Sequence, residues 1–332
     1  MGRDLYEASP SARFVLDEAE RILGIPLAAL CFEGPEEALR ATEYAQPAIF
    51  TVSVALLAAL AQGADRIVDF TAARSNLVAG HSLGHYTALV AAGALSFPAG
   101  LRLVRQRGEL MAAARGGGMA AVIGLDVQTV ERICREVSTP ADPVVIANDN
   151  APGQVVLSGS LTALHQAEKL AVDLGSIYVL PLETSAAFHS PLMGEAATRM
   201  ATLLAGTAIA DPAVPVLSNV TAQPMQDRRT LHADLLEHMR ARVRWVASIE
   251  YAAAAGITTF AEIGPGQALT GTIRRIVPGS RVLNVGNAVD LAAFAVGPDG
   301  SVDEPHGAQR PSPARPAAAP AGPSGSVPAK VG

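Results

Sequence analysis

The feature that most restricts the fold is an order of elements in the middle of the chain. After the break Arg115-Gly116-Gly117-Gly118 come an apolar strand at 119–125, a helix over Val127–Val137, strands at 143–148 and 154–159, a helix over Leu161–Leu174 and a strand at 177–182. That β-α-β-β-α-β order is the ferredoxin-like signature. Alternating helices and strands flank it on both sides. The unit at 116–183 therefore reads as a small subdomain inserted into a larger α/β body at 1–115 and 184–296.

In the body, Ser11–Leu23 carries Phe14, Val15, Ala19, Ile22 and Leu23 at helical spacing, with Gly24 as a stop. Gln46–Gln62 predicts a helix apolar nearly all round and hence central. Its longest apolar stretch, Ala48–Ala61, is interrupted by Thr51 and Ser53 and is shorter than the roughly 20 residues a membrane span needs. Short apolar runs at Arg66–Phe70 and Leu77–Ala79 predict buried parallel strands, and helices follow over Tyr86–Ala94 and Pro98–Ala114. Beyond the insert, a strand at 215–221, a helix through Trp245 and Tyr251, a strand at 258–264 and a helix over Ala268–Ile276 complete the body. Residues 297–332, rich in Pro and Ala and without an aromatic residue, predict a disordered tail.

Composition narrows the function classes. The 332 residues are 17% charged with formal net charge −6, which gives no electrostatic case for nucleic acid as the main partner. Two cysteines, Cys31 and Cys134, cannot staple a fold, and a reducing compartment fits. The opening Met1–Arg13 has charges where a signal peptide needs an apolar core. The expectation is a cytoplasmic monomer.

Gly80-His81-Ser82-Leu83-Gly84 is a G-x-S-x-G between a short strand and a helix, the context of a nucleophile elbow. In that reading Ser82 Oγ is lifted clear of the sheet and the N–H of Leu83 can serve an oxyanion. A tight turn with a capping serine fits the same residues. A nucleophile needs a base. Of the histidines, His165, His232 and His238 lie in polar helical contexts and read as surface, and His306 falls in the tail. His81 and His85 have a metal-ligand spacing, but His81 lies in the turn and no third ligand is near, so no metal is expected. His189, in Ala187-Phe188-His189-Ser190-Pro191 after a strand, is placed for a crevice, which mildly favours it as the base over a capping or core role.

These residues together resemble the malonyl-CoA:acyl-carrier-protein acyltransferases of fatty-acid and polyketide synthesis. The likeness rests on residues 80–84, on Ala187–Met193 and on Gly264-Pro265-Gly266. Ala45–Ala48, Arg107–Met111, Ala147–Gln154 and Ser218-Asn219-Val220 add to it, in order from residue 1 to about 290. The resemblance implies an α/β-hydrolase-like body with a ferredoxin-like insert. It implies that Ser82 carries the malonyl group as an ester between malonyl-CoA and the phosphopantetheine thiol of a carrier protein, with His189 as base. A backbone carbonyl near Arg244-Trp245 would orient the imidazole in place of an acidic third member. Arg107 would grip the malonyl carboxylate, Phe188 would crowd the α-carbon against a methyl branch, and Gln46, His81, Asn148, Asn150 and Gln154 would lie near the pocket. No resident cofactor is implied.

Three positions depart from the family's pattern. The family opens with a strand ending in a Gly-Gln-Gly-Ser-Gln-like turn that supplies a second oxyanion donor, whereas Met1–Tyr6 resembles the segment just after it. A start downstream of the true one, or an impaired enzyme, would follow. His85 sits where glutamate is common and Gln267 where lysine is common. A thioester hydrolase and a non-catalytic carrier-protein-binding paralogue are the competing readings. Arg274, Arg275 and Arg281 form either a dock for an acidic carrier or a solvated face.

Overall fold

A computed structural model describes residues 1–184 and 186–295. The N-terminal third is helical: α1 (Arg3–Ala8), α2 (Pro10–Leu23), α3 (Leu27–Glu33), α4 (Glu36–Arg40), α5 (Thr42–Leu60), α6 (Ile67–Arg74), α7 (Gly84–Ala91) and α8 (Phe97–Ala113). Helix α2 begins where the Ser9 hydroxyl accepts the Ala12 N–H, and it ends at Gly24 in left-handed geometry. It buries Ala12, Val15, Leu16 and Ala19, a single stripe at helical spacing. Helix α5 has no polar face to speak of and lies at the centre of the main core, packed on α2, α7 and α8. Among the described residues it is the one helix with the length and apolarity to cross a membrane, and 67% of that stretch is buried inside the body.

The middle segment has its own sheet and its own core. It comprises β1 (Gly118–Ile123), α9 (Val127–Val137), β2 (Val144–Ala151), β3 (Gln154–Gly159), α10 (Leu161–Asp173) and β4 (Tyr178–Pro181). The strands run antiparallel in the order β2-β3-β1-β4, the arrangement that the β-α-β-β-α-β pattern dictates. Asp126 caps α9 and Ser160 caps α10. One face of the sheet buries Ala120, Val122, Ile146, Val155 and Leu157 under the two helices. The other face carries Met119, Ala147 and Val156, which pack with Phe188 from the body.

The chain then returns through α11 (Gly194–Ala205), β5 (Val216–Leu217), β6 (Pro224–Met225), α12 (Arg228–Glu237), α13 (Trp245–Ala254), β7 (Thr259–Ile263), α14 (Ala268–Ile276), β8 (Arg281–Val285) and α15 (Ala288–Ala295). Strands β7 and β8 pair in parallel, and Val78 makes a single parallel bridge to Val216.

Three expectations need correction; the first is the strand at Leu77–Ala79, of which only the bridge at Val78 forms. The run at Arg66–Phe70 is not a strand: a short turn at Ala64–Arg66 leads into α6, with Ile67 and Thr71 buried four apart on one face. A short apolar run carries no period long enough to separate a buried strand from a buried helical turn. The strand at 215–221 shrinks to β5, because Ser218 starts a turn whose hydroxyl accepts the N–H groups of Val220 and Thr221. The expected tail at 297–332, and His306 with it, lie outside the described residues.

Phe50 of α5 is fully buried and stacks on Phe97, ring centroids 5.9 Å apart. Phe50→Ala should cost about 3–5 kcal/mol of unfolding free energy, read as a lowered denaturant midpoint at unchanged m-value.

Candidate active site

The turn before α7 is sharp because only glycine fits at its start. A Cβ on Gly80 would stand 2.0 Å from both the carbonyl carbon and oxygen of Gly84. Two residues on, Ser82 adopts φ 47, a left-handed conformation that costs a non-glycine residue about 1–3 kcal/mol and needs support from its surroundings. Leu83 follows as the N-cap residue of α7 with helical dihedrals, so its N–H lies at the positive end of the helix.

The elbow presents Ser82 Oγ 2.8 Å from His189 Nε2. His189 itself has φ 57, and its N–H donates to the Met239 carbonyl. Its Nδ1 donates to the Ala241 carbonyl at 3.1 Å. That bond puts the ring proton on Nδ1 and leaves the Nε2 lone pair facing the serine. Burial, then the charge of Arg107, lowers the imidazole pKa from 6.5 to about 3. The ring is therefore neutral at ordinary pH.

A backbone carbonyl meets the imidazole close to Arg244-Trp245, as expected, and it is that of Ala241, three residues before Arg244. Arg244 starts α13, and its carbonyl accepts the Ser248 N–H and hydroxyl; Ala241, in the preceding loop, is free to serve His189.

Arg107 comes from the middle of α8 and is 1% exposed. Its Nη2 donates to Ser82 Oγ at 2.9 Å and its Nη1 to Gln46 Oε1 at 2.6 Å. Gln46 is in turn held by Thr42 at 2.8 Å. The guanidinium carbon lies 5.8 Å from the Tyr86 ring centroid. Among the described residues no carboxylate pairs with Arg107. Burial lowers its pKa below 12.5, and a guanidinium keeps its charge regardless. The same burial pushes the Tyr86 phenol up to about 12.

The structure thus joins Ser82, His189, Arg107 and Gln46 directly. His81 and Asn150 form a second layer, with Nε2 and Oδ1 2.7 Å apart. Burial lowers the His81 pKa. Phe188 sits between the body core and the open face of the inserted sheet. Asn148 makes a main-chain bridge to Val243. The Gln154 side chain accepts from Arg275 at 2.6 Å. Arg274 and Arg281 are exposed nearby. His238, read as surface, is 1% exposed. It stands with its ring centroid 5.9 Å from that of His189 and 5.1 Å from that of His85. Leu231, Asp234, Leu235 and His238 are spaced 3-1-3 on one helical face, which was the available signal that His238 points inward. His85 Nε2 lies 3.2 Å from the buried Asp234 carboxylate. Among the described residues no group of His, Cys, Asp and Glu could hold a metal ion.

A cavity of about 780 Å³ adjoins the elbow, between residues 77–84 and 257–265. Its walls include Val78, Gly80, Leu83, Phe260 and Ile263, but not Ser82, Arg107 or His189. Among the described residues Val78 pairs only with Val216, and β7 only with β8, and both line this space.

A hydroxyl with a neutral imidazole as acceptor, a helix N-terminus beside it and a buried cation in contact with it can carry out covalent acyl transfer. Comparison with known proteins agrees with that class. Residues 1–288 match the acyl transferase domain family, and the chain belongs to it. A malonyl CoA-acyl carrier protein transacylase of Bacillus subtilis is 41% identical over 279 residues, spanning 83% of this chain and 86% of that protein. The crystal structure of an acyl-carrier-protein S-malonyltransferase from Bartonella henselae superposes with TM-score 0.83 at 39% identity, covering 89% of this chain and 93% of that one. A structure of a type II polyketide synthase acyl-carrier protein with its malonyl-transacylase matches with TM-score 0.81 at 36% identity, covering 88% and 93%.

The depressed histidines make stability pH-dependent. His81, His189 and His238 are all held below 6.5 in the folded state, so the unfolded chain binds more protons as pH falls below that value. Stability contributed by these neutral rings is complete above about pH 6.5 and is lost as pH drops toward 3. Thermal midpoints should fall progressively through that window. In His238→Phe, which removes one of the three groups, the slope should be shallower.

Proposed function

We propose that the protein transfers a malonyl group from malonyl-CoA to the phosphopantetheine thiol of an acyl carrier protein through an ester on Ser82. The observation that carries this reading is Arg107: a buried guanidinium whose polar partners are neutral, in contact with Ser82 Oγ. A malonyl thioester brings the carboxylate such a cation lacks, and bidentate pairing would place its carbonyl carbon beside the serine. The names of the relatives, and the carrier protein in one related structure, support the same substrates.

In the first half-reaction Ser82 Oγ attacks the thioester carbon as His189 Nε2 takes the hydroxyl proton. The Leu83 N–H donates to the developing oxyanion. The carbon–sulfur bond then breaks, and His189 returns the proton to the departing CoA sulfur. In the second, His189 takes the proton of the carrier thiol, the sulfur attacks the seryl ester, and the proton goes back to Ser82 Oγ. The main-chain carbonyl of Ala241 holds the imidazole through both halves. Nucleophile, base and cation all come from the chain. Phe188, Gln46, His81 and Asn150 shape the pocket around the acyl group. The chain acts as a monomer in the cytoplasm, a reading supported by the burial of α5 and by two buried, unpaired thiols whose pKa values burial raises to about 11 and about 12; light scattering of the purified protein checks its mass.

Incubation with labelled malonyl-CoA and holo carrier protein tests the reaction. Label on the carrier is the expected result; free malonate alone would mean hydrolysis, and unchanged substrate would overturn the reading. Ser82→Ala should lose the covalent label entirely, and a labelled variant would remove Ser82 from the mechanism. Arg107→Ala should lower malonyl loading by about 100-fold or more, the scale of losing a charge-assisted pair of about 3 kcal/mol, while relative acetyl loading rises. An unchanged malonyl-to-acetyl ratio would refute the clamp.

A further inference from the structure

The motif Ser218-Asn219-Val220 has no part in the reaction described above, yet its asparagine reaches the elbow. Asn219 is 3% exposed. Its Oδ1 accepts the Ser82 N–H at 2.9 Å, and its Nδ2 donates to the Gly80 carbonyl at 2.7 Å. One planar amide therefore spans both sides of the turn that holds Ser82 at φ 47.

The amide is itself fixed from several directions. His238 Nε2 lies 3.2 Å from Oδ1, and the Asn219 carbonyl accepts the Arg244 N–H at 2.9 Å. Ser218 donates to Asp234 and accepts the N–H of Thr221 at 2.8 Å. Asp234 in turn faces His85 on α7, the helix that the elbow begins. The residues after His238 supply both carbonyls that hold His189, Met239 and Ala241. One turn thus touches the main chain of the serine and the support of the imidazole, and reaches no atom of either reacting group.

We propose that Asn219 is a positioning residue: its amide clips the Gly80–Ser82 main chain at positive φ, so that Ser82 Oγ meets His189 Nε2 at hydrogen-bonding distance. This rests on the assignment of Ser82 as nucleophile. Without the clip, a half-buried N–H and a buried carbonyl lose their partners. The elbow then relaxes toward the negative φ that a serine prefers, and Oγ swings off the imidazole. Arg107 lies on another element and keeps its place, so substrate binding survives while chemistry slows.

The test compares wild type with Asn219→Ala and with the same-sized Asn219→Asp, which keeps the acceptor for Ser82 N–H but sets an anion against the Gly80 carbonyl. Two rates are read: covalent modification of Ser82 by a small uncharged sulfonyl fluoride, and the malonyl-CoA burst. Both should fall about 10- to 100-fold in Asn219→Ala, the scale of a misplacement near 1 Å. Burst amplitude should hold and KM for malonyl-CoA should stay within about twofold, since the acyl clamp is intact. Asn219→Asp should fall between the two. Wild-type rates in folded Asn219→Ala, or in Asn219→Asp where the alanine variant does not fold, overturn the proposal, as does a loss matched by an equal rise in KM. The sulfonyl fluoride carries no acyl-CoA. A wild type that reacts with it but shows no malonyl burst would therefore sink the malonyl reading and leave the role of Asn219 to the reagent rates.

Discussion

The site is organised by a positive charge that the fold buries without an acid to match it. Arg107 is 1% exposed, and a charge removed from water is costly unless paired. Here its hydrogen-bonding partners are the carbonyl end of Gln46 and the hydroxyl of Ser82, dipoles that offset only part of the desolvation. The remainder is borne by the main core, in which α8 packs along α5 and contacts α2, α7 and α11. The arginine is consequently held by packing rather than by a counter-ion, and the anion it lacks is left for a ligand to bring.

That charge sets the state of its neighbours. Burial alone would discourage protonation of His189, and Arg107 pushes in the same direction. The neutral imidazole is thus ready to accept a proton but is a weak base. On the proposed reading a malonyl carboxylate pairing with Arg107 cancels much of that charge, and the base strengthens at the moment a dicarboxylic acyl group is seated. An acetyl group brings no such change. Discrimination then has two parts, the unmet arginine in the ground state and a weaker base during the chemistry, and both originate in one guanidinium.

Legibility in the sequence followed the length and regularity of each signal. The inserted unit was readable because four strands and two helices each persist for several residues in a recognisable order. The G-x-S-x-G was readable because glycine at 80 has no substitute. Arg66–Phe70 misled because five residues carry no period, and β8 went unread because Arg281–Val285 begins on a charge and contains Asn284. Residues whose place depends on distant chain segments were the hardest. His238 looked solvated among the polar residues of its helix, and only its register with Leu231 and Leu235 betrays the buried face. Ala241 carries no side-chain signal at all, since it serves through its carbonyl. Asn219 stood in a recognisable motif, but its partners at Gly80 and Ser82 are some 140 residues away.

The two cores divide the work between them. The body supplies the elbow, Arg107 and His189, whereas the inserted sheet supplies Asn150 against His81 and the apolar face against Phe188. They meet at the loop that carries Ala241. Val243 bridges to Asn148 of β2, and Arg242 pairs with Asp149 of β2 and Glu131 of α9, each at 2.7 Å. Asp149 is partly buried, and burial raises its pKa despite the opposing arginine, so this junction is not simply a solvent-screened surface pair. Ala241 sits next to Arg242, so on the proposed reading the carbonyl that orients the base lies in the same short loop that ties the insert to the body. On that reading, the residues that shape the pocket from the insert and the carbonyl that holds the base share one loop as their common support.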